Sequence, residues 1–347
     1  MRALRYTTVG EPARVEEITE PEPQGAQVLL RVLAAGACHS DEFVMSLPGE
    51  VLAASGITLP LTLGHEGVGV VTALGPAARG IEVGEAAIVY GAWGCGRCRT
   101  CATGNEQYCE RAAELGIFPP GLGAHGAMAD YLLVDDARHL VPLDGLDPVA
   151  AAPLADAGLT PYHAIKPVLP ALVPGTTAVV IGAGGLGHLA IQMLRALSTC
   201  QVVALDLGKD KLEFAAEVGA HHAFASDDGA VEAVRKVTGG RMADAVFDVV
   251  GTAATCGLAA QMVHAQSEIA VIGVADGAVP VGFLTLPHDV RVRAPYWGSI
   301  AELHEVLALA RRGDITVETE TFTFDNAPMI YERMHARTLR GRAVLVP

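Results

Sequence analysis

An apolar run that leads through a glycine-rich turn into a helical pattern restricts the fold of this chain most strongly. Ala178–Ile181 is fully apolar, which is typical of a parallel strand buried on both faces. The turn Gly182–Gly187 follows directly. Apolar residues then recur at the spacing of one helix face, at Leu186, Leu189, Ala190, Met193, Leu194 and Leu197. The sequence therefore predicts a strand, a tight turn and a helix in immediate succession.

The alternation of strand and helix patterns continues downstream. Strands are predicted at Gln201–Leu205, Ala245–Val250 and Ile269–Gly273, with a helix at Lys211–Val218. Such alternation predicts an α/β fold with a doubly wound parallel sheet. Residues 1 to about 155 instead contain short apolar runs broken by glycine and proline, which indicates a mostly β domain.

The glycine-rich turn has the G-x-G-x-x-G spacing of dinucleotide-binding proteins. Its glycines permit a tight turn and let a pyrophosphate lie against backbone N–H groups at a helix N-terminus. The predicted binding residues of this turn are Gly182, Gly184, Gly185, Leu186 and Gly187. The motif alone is weak, and a doubly wound sheet that binds no nucleotide is the alternative interpretation.

Asp206 supports the nucleotide interpretation and indicates which cofactor binds. It ends the next predicted strand, 19 residues beyond Gly187. A carboxylate there accepts hydrogen bonds from the adenosine ribose and repels a 2′-phosphate. The following residues, 207–209, include no arginine that would hold such a phosphate. The sequence therefore favours NAD over NADP.

Four cysteines occur within fifteen residues, at Cys95, Cys98, Cys101 and Cys109. Four sulfurs complete a tetrahedral zinc shell that excludes water, so such a site is structural. An iron–sulfur cluster is the alternative, because C-x-x-C steps in series also occur in ferredoxins. Their fourth cysteine falls closer and usually precedes proline, whereas Cys109 precedes Glu110. The spacing predicts a structural zinc in the loop 95–109.

Two further clusters, Cys38-His39-Ser40-Asp41 and Gly64-His65-Glu66, contain residue types that bind zinc. Each alone is ordinary, because a single Cys or His is more often part of a packed core. The segment from Gly64 to Gly69, with Gly75 after five more residues, resembles the G-H-E-x-x-G-x5-G signature of the zinc-containing medium-chain alcohol dehydrogenases. Residues 153–162 are most similar to bacterial secondary alcohol dehydrogenases and carbonyl reductases.

The resemblance covers essentially the whole chain and implies its domains. These are a GroES-like catalytic domain at 1–155, a Rossmann domain at 156–292, and a return to the catalytic domain at 293–347. It also implies that Cys38, His65 and Asp156 hold a catalytic zinc. Asp156 stands where many members have cysteine, and its alternative role is a helix N-cap. Glu66 would be an alternate ligand or lie beside the metal, and Asp41 would orient the His65 ring.

The implied reaction is reversible hydride transfer between an alkoxide on zinc and NAD, with a secondary alcohol and its ketone as the substrate pair. Ser40 matches the hydroxyl that accepts the alcohol proton. Phe43 stands where some members have a relay histidine, so the proton would leave through His39 or water. Contacts with the cofactor are implied for Thr160, Lys211 and Arg340. For the two basic residues, Lys211 and Arg340, the alternative is solvated surface charge.

The implied substrate pocket is apolar, and it is lined by Phe43, Trp93, Leu122, Tyr296 and Trp297. Aromatic residues are usually core, which is the alternative for each. A primary-alcohol or polyol dehydrogenase is the nearest alternative function. A zinc-free quinone reductase, or a nucleotide-binding protein without catalysis, is a more distant one, because the three zinc-ligand candidates are all present.

Charge and composition exclude other classes. The formal net charge of −15 opposes nucleic-acid binding, which depends on neutralising phosphates. The first ten residues lack the apolar core of a signal peptide, so we expect a cytoplasmic protein. We expect no membrane span, because the most apolar stretch contains four glycines. The family implies a homodimer or homotetramer in which the nucleotide domains meet.

Overall fold

The computed structural model describes residues 1–347 and divides into two compact units. Unit 1 comprises residues 1–157, 298–311 and 317–347, and unit 2 comprises residues 158–297 and 312–316. The domain boundaries predicted from the sequence follow residues 155 and 292, whereas the first and second boundaries of the structure follow residues 157 and 297. The shift of the first boundary matters, because it places Asp156 in unit 1.

The strands are β1 (Arg2–Tyr6), β2 (Arg14–Glu17), β3 (Val28–Gly36), β4 (Leu61–Thr62), β5 (Glu66–Leu74), β6 (Ala86–Val89), β7 (Tyr131–Val134), β8 (Leu140–Pro142), β9 (Thr177–Ile181), β10 (Gln201–Asp206), β11 (His222–Ala225), β12 (Ala243–Asp248), β13 (Val263–Val271), β14 (Arg291–Arg293), β15 (Thr319–Phe322) and β16 (Arg342–Leu345).

The α-helices are α1 (His39–Ser46), α2 (Gly49–Ala54), α3 (Arg99–Ala102), α4 (Ala112–Leu115), α5 (Pro148–Ala151), α6 (Leu159–Ile165), α7 (Gly187–Leu197), α8 (Lys209–Glu217), α9 (Ala230–Val237), α10 (Ala253–Gln261), α11 (Ile300–Arg311) and α12 (Met329–His335). Short 3-10 helices span Glu106–Tyr108, Ala137–His139, Ala152–Ala155 and Lys166–Ala171. None of the helices combines the length and the apolar character that crossing a lipid bilayer requires.

Unit 2 contains the predicted parallel sheet, so the fold-class prediction is confirmed. Its strand order is β11-β10-β9-β12-β13-β14, and every neighbouring pair is parallel. All five residues of β9 are buried, as expected for a central strand covered on both faces. The chain leaves β9 to one side and returns on the other through β12, which creates the crevice at the strand ends typical of nucleotide-binding sheets.

Helix α7 follows the predicted apolar face closely. Leu189, Ala190, Met193 and Leu194 are fully buried. The predicted first and last apolar positions, Leu186 and Leu197, lie at the margins of this face and are only partly buried. The helix begins at Gly187, one residue later than the apolar pattern indicates.

Unit 1 is built mainly from β-sheet around one apolar core. A three-stranded sheet has the order β2-β1-β4, and a seven-stranded sheet has the order β15-β16-β3-β5-β6-β8, with β7 also pairing with β3. Strands β3 and β5 are antiparallel, and their register pairs Gly36 with Glu66. The end of β3 therefore lies beside the start of β5, which brings the Cys38 and His65 segments together.

The return of the chain into unit 1 completes this arrangement. Strand β16 pairs with β3, and Val344 stands opposite Gly36. The 3-10 helix Ala152–Ala155 packs against β3 and β5, and the Ala157 N–H donates to Glu66 Oε1 over 3.0 Å. Four segments that are distant in sequence, namely the end of β3, the start of β5, strand β16 and residues 152–157, thus meet in one place.

Candidate active site and nucleotide-binding turn

The side chains of Cys38, His65 and Asp156 converge where β3 ends and β5 begins. Cys38 Sγ lies 3.6 Å from Asp156 Oδ2, and His65 Nε2 lies 3.4 Å from the same oxygen. The three ligand atoms all lie within 4.8 Å of one another. Cys38 and His65 are buried, and the Asp156 side chain is the most accessible of the three at 13%. The structure therefore brings together the three residues predicted to hold the catalytic zinc.

These separations fit a tetrahedral zinc ion. Bonds of about 2.3 Å to sulfur and about 2.1 Å to nitrogen or oxygen would separate sulfur from oxygen by about 3.6 Å, and nitrogen from oxygen by about 3.4 Å. The observed distances are 3.6 Å and 3.4 Å. Thiolate, imidazole and carboxylate are also the donor types that zinc prefers, and three protein ligands leave a fourth position for a small molecule.

Asp41 fixes the orientation of the His65 ring. Asp41 Oδ1 lies 3.1 Å from His65 Nδ1, and both side chains are buried. A carboxylate at this distance holds a proton on Nδ1, so Nε2 is the ring nitrogen that faces Cys38 and Asp156 and would bind a metal. Asp41 has this position because it is the third residue of helix α1, where its Oδ2 accepts the N–H of the N-cap residue Cys38 over 3.0 Å.

The carboxylates around His65 dominate its electrostatics. Burial alone lowers the pKa of His65, but Asp41 and Asp156 outweigh burial and raise that pKa well above its ordinary value. The cluster therefore attracts positive charge. A bound cation would take the place of the proton on Nε2, because zinc binds imidazole only in its neutral form.

Glu66 is not part of the cluster of ligand atoms. It is fully buried, and its Oε1 lies 2.5 Å from the Arg342 guanidinium, which is also buried. Its Oε2 has no hydrogen-bond partner. Burial raises the pKa of Glu66 to about 7 although Arg342 opposes the shift. Glu66 was predicted to be either an alternate ligand or a residue beside the metal. The structure favours the second role, because the ion pair with Arg342 occupies one of its carboxylate oxygens.

Asp156 does not cap a helix N-terminus. It ends the 3-10 helix Ala152–Ala155, whereas the N-cap position of α6 is Gly158. The alternative interpretation of Asp156 as an N-cap is therefore wrong.

The four cysteines of the loop 95–109 form a second cluster, whose sulfur atoms lie within 4.8 Å of one another. Cys98 Sγ lies 3.3 Å from Cys101 Sγ, and Cys95 Sγ lies 3.9 Å from it. A tetrahedral zinc site would place sulfurs about 3.8 Å apart. The Thr100 hydroxyl lowers the pKa of Cys98 to about 6, whereas burial raises the pKa of Cys101 to about 12. The geometry fits a closed metal site.

A buried histidine that the sequence analysis did not identify anchors this loop. His139 Nδ1 lies 2.6 Å from Asp135 Oδ1, and its Nε2 lies 3.0 Å from Glu106 Oε2. The ring stacks on Trp93 with centroids 5.7 Å apart. Glu106 also accepts the Gly94 N–H, directly before Cys95. No local pattern identifies His139, because Glu106 is 33 residues away in sequence.

The glycine turn of unit 2 has the geometry required for a pyrophosphate. Gly182 has φ of +96°, which disfavours a side chain. A Cβ at Gly187 would stand 1.8 Å from the Gly182 carbonyl oxygen, so only glycine permits α7 to start this close to β9. A Cβ at Gly184 would meet no atom within 4 Å, which leaves open space beside the backbone. The turn therefore fits the dinucleotide interpretation.

Asp206 lies at the end of β10, next to this turn. Its carboxylate accepts the Ala183 N–H over 2.7 Å, and the Leu207 N–H over 2.7 Å. The carboxylate is therefore held beside the glycine turn, at the edge where an adenosine ribose binds in this type of sheet. The neighbouring Lys209 pairs with Glu213 over 3.6 Å.

The remaining predicted residues are distributed over both units. In unit 1, Ser40 Oγ lies 3.7 Å from Cys38 Sγ, His39 is exposed and lies 3.7 Å from Glu42, and Phe43 is 47% exposed. Trp93 is buried and Leu122 partly buried. The Arg340 N–H donates to Glu320 over 2.9 Å. In unit 2, Thr160 is buried on α6 and Lys211 lies on α8. Tyr296 is exposed, and Trp297 is buried.

Comparison with known proteins agrees with this geometry. Residues 24–145 match the alcohol dehydrogenase GroES-like domain, and residues 185–312 match the zinc-binding dehydrogenase domain. An NAD-dependent alcohol dehydrogenase of Sulfurisphaera tokodaii is 33% identical, and the alignment covers 100% of both chains. A D-arabinose 1-dehydrogenase (NADP(+)) of Saccharolobus solfataricus is 33% identical over 100% of this chain and 97% of that one.

A solved structure is similar along the entire chain. The alcohol dehydrogenase from the hyperthermophilic archaeon Aeropyrum pernix superimposes with a TM-score of 0.92, at 30% identity and with 100% of both chains covered. The relatives are similar over the full length of the chain, both domain models match, and both side-chain clusters are suited to zinc. The chain belongs to the family of zinc-containing medium-chain alcohol dehydrogenases.

Proposed function

We propose that this chain is a zinc- and NAD-dependent dehydrogenase that interconverts secondary alcohols and their ketones. The observation that carries the proposal is the cluster of Cys38, His65 and Asp156, whose donor atoms have the separations of a zinc tetrahedron. Three ligands leave one position open, which is the arrangement of catalytic rather than structural zinc sites.

Each residue of the cluster has a distinct task in this proposal. The Cys38 thiolate and the Asp156 carboxylate together offset the charge of a divalent ion, and His65 supplies a neutral donor held by Asp41. Zinc would supply a Lewis acid that acidifies an alcohol or polarises a carbonyl, and NAD would supply a hydride acceptor. The Ser40 hydroxyl, 3.7 Å from Cys38 Sγ, would take the proton of the alcohol. His39 would then release that proton, because its side chain is exposed.

Asp206 supports NAD as the cofactor. Its carboxylate is held at the glycine turn by backbone N–H groups, where it would oppose a 2′-phosphate. Thr160, Lys211 and Arg340 are proposed to contact the nicotinamide, the ribose and the pyrophosphate, respectively. We expect kcat/KM with NAD to exceed that with NADP, and Asp206→Ala to narrow the difference. The same ratio in wild type and variant would contradict this role.

The secondary-alcohol preference rests on the apolar residues proposed for the pocket, which are Phe43, Trp93, Leu122, Tyr296 and Trp297. A second candidate is oxidation of a sugar, because one full-length relative at 33% identity is a D-arabinose 1-dehydrogenase. Relative kcat/KM for 2-propanol, ethanol, sorbitol and D-arabinose separates these substrate classes. We expect 2-propanol to be the best of the four, and a preference for arabinose or sorbitol would replace the secondary-alcohol proposal.

The metal proposal is two zinc ions per chain, one catalytic and one held by the four cysteines. We expect Asp156→Ala to retain one zinc, remain folded and lose activity with 2-propanol. Asp325→Ala is the matched control, because it removes an exposed carboxylate from the same unit. A wild type with one zinc and no activity toward any alcohol would reject the dehydrogenase proposal in favour of a zinc-free reductase or a nucleotide-binding protein.

We also propose that the chain forms a homodimer or homotetramer through unit 2. The segment 281–284 exposes apolar side chains, with Phe283 81% and Leu284 93% accessible. Contiguous exposed apolar side chains are typical of interfaces. Replacing both residues with serine should lower the mass measured by sedimentation without unfolding the chain. An unchanged mass would move the interface elsewhere.

A further inference from the structure

Tyr331 reaches the metal-ligand cluster from the last segment of unit 1. It lies on α12, and its ring packs against the apolar core. Its hydroxyl lies 3.2 Å from Asp41 Oδ2 and 3.4 Å from Met128 Sδ. A carboxylate is a far stronger acceptor than a thioether, so the hydroxyl donates to Asp41.

Asp41 thereby collects three donors while it is completely buried. The His65 Nδ1 donates to Oδ1, whereas the Cys38 N–H and the Tyr331 hydroxyl both donate to Oδ2. A buried carboxylate that loses a donor becomes poorly solvated, and it can rotate toward another partner. Two of its three donors come from the segments that carry metal ligands, so such a rotation would displace both.

We infer that Tyr331 is a positioning residue for the metal ligand His65, acting through the Asp41 carboxylate. The inference rests on the zinc site of the proposed function. Tyr331 fixes one oxygen of Asp41, so the other oxygen stays on Nδ1 and the ring keeps Nε2 aimed at Cys38 and Asp156. The hydroxyl also draws electron density from the carboxylate, which limits how basic the imidazole becomes.

The protonation of Tyr331 agrees with its role as a donor. Burial and the nearby Asp41 carboxylate raise the pKa of the tyrosine well above its ordinary value. The hydroxyl therefore keeps its proton at neutral and moderately alkaline pH. The Glu42 carboxylate also raises this pKa.

The test is Tyr331→Phe in the zinc-loaded protein, with Tyr6→Phe as the matched control. The Tyr6 hydroxyl is also internal, but it donates to the Met45 carbonyl over 3.0 Å and does not touch Asp41. Both variants keep the ring and lose one hydroxyl. We expect Tyr331→Phe to weaken retention of one of the two zinc ions against a chelator by about 10-fold, the lower end for partners of a metal-bound histidine. Tyr6→Phe should leave retention unchanged.

Cobalt substitution provides a readout that a purely structural role would not alter. The ligand-field spectrum of cobalt in the Cys38–His65–Asp156 site should shift in Tyr331→Phe and not in Tyr6→Phe, because the imidazole donor changes. In an Asp41→Asn background, Tyr331→Phe should add less than it does alone, since both residues act through one carboxylate.

The outcomes separate this inference from the proposed function. If the wild type holds two zinc ions and oxidises 2-propanol, but the two phenylalanine variants match in zinc retention and cobalt spectrum, the positioning role is overturned. Additive effects of Tyr331→Phe and Asp41→Asn would also overturn it. A wild type without the second zinc would overturn both the positioning role and the proposed function.

Discussion

Replacement of Arg342 by leucine would leave a fully buried carboxylate without its cationic partner. Glu66 is 0% exposed, its Oε1 lies 2.5 Å from the guanidinium, and Oε2 has no hydrogen-bond partner. The Ala157 N–H would remain as a donor. Removing one member of a buried ion pair costs about 3–5 kcal/mol. The pKa of Glu66 is already about 7 beside Arg342 and would rise further without it, so the carboxyl must either stay charged without a partner or take up a proton, and both cost free energy. We therefore expect Arg342→Leu to lower the free energy of unfolding of unit 1 by about this amount.

The two tryptophans of the chain make this measurement specific for one unit. Trp93 lies in unit 1 and Trp297 in unit 2. In a Trp297→Phe background, the fluorescence of Trp93 during urea unfolding reports on unit 1 alone. The stack of Trp93 on His139 gives that signal its sensitivity to unfolding. All variants are compared at one fixed concentration of free zinc, because zinc released on unfolding contributes to the measured free energy.

Glu66→Gln in the Arg342→Leu background is the decisive control. The amide is neutral and still accepts the Ala157 N–H, so it needs no cation. We expect the double variant to recover most of the stability that Arg342→Leu loses. A loss below about 1 kcal/mol for Arg342→Leu, or no recovery in the double variant, would refute the reasoning, because the charge would then not be the source of the cost.

Three further predictions concern other parts of the chain. Gly187→Ala should destabilise unit 2 by about 1–3 kcal/mol and weaken NAD binding, because its Cβ would meet the Gly182 oxygen at 1.8 Å; calorimetry and NAD titration would detect both. Burial lowers the pKa of His139, but hydrogen bonds to Asp135 and Glu106 raise it overall. The stability that His139 contributes should thus be full below about pH 6.5 and decline as pH rises through the folded-state pKa, whereas the stability of His139→Gln should vary less with pH in the same unfolding assay. Cys98→Ser should release one zinc ion and increase proteolysis within residues 95–109, as mass spectrometry of the fragments would detect.

Local patterns predicted the elements of unit 2 well. The strand, glycine turn and helix from Thr177 to Leu197 depend on neighbouring residues, and their spacing repeats at short range. Element ends were less well predicted. Strand β12 begins at Ala243 and ends at Asp248, two residues earlier than predicted at each end. Turn hydrogen bonds from Val250 and Gly251 to the Asp248 carboxylate take those residues out of the strand.

The sequence by itself determined the residues whose chemistry depends on close spacing. The glycine turn and the four cysteines of the loop 95–109 each lie within fifteen residues. Side chains this close along the chain have few possible arrangements, so residue type and spacing largely define the site. This is why spacing alone predicted the four-cysteine site, whereas Cys38 and Asp156 lie 118 residues apart and were assigned, with His65, through the family resemblance.

Only the tertiary structure decided which distant partners stabilise those residues. Glu66 meets Arg342 across 276 residues, and Asp41 meets Tyr331 across 290. These contacts arise because β3 pairs with both β5 and β16, which returns the end of the chain to the start of the site. A buried charge must find a partner wherever the fold brings one, and no periodicity along the sequence records which partner that is.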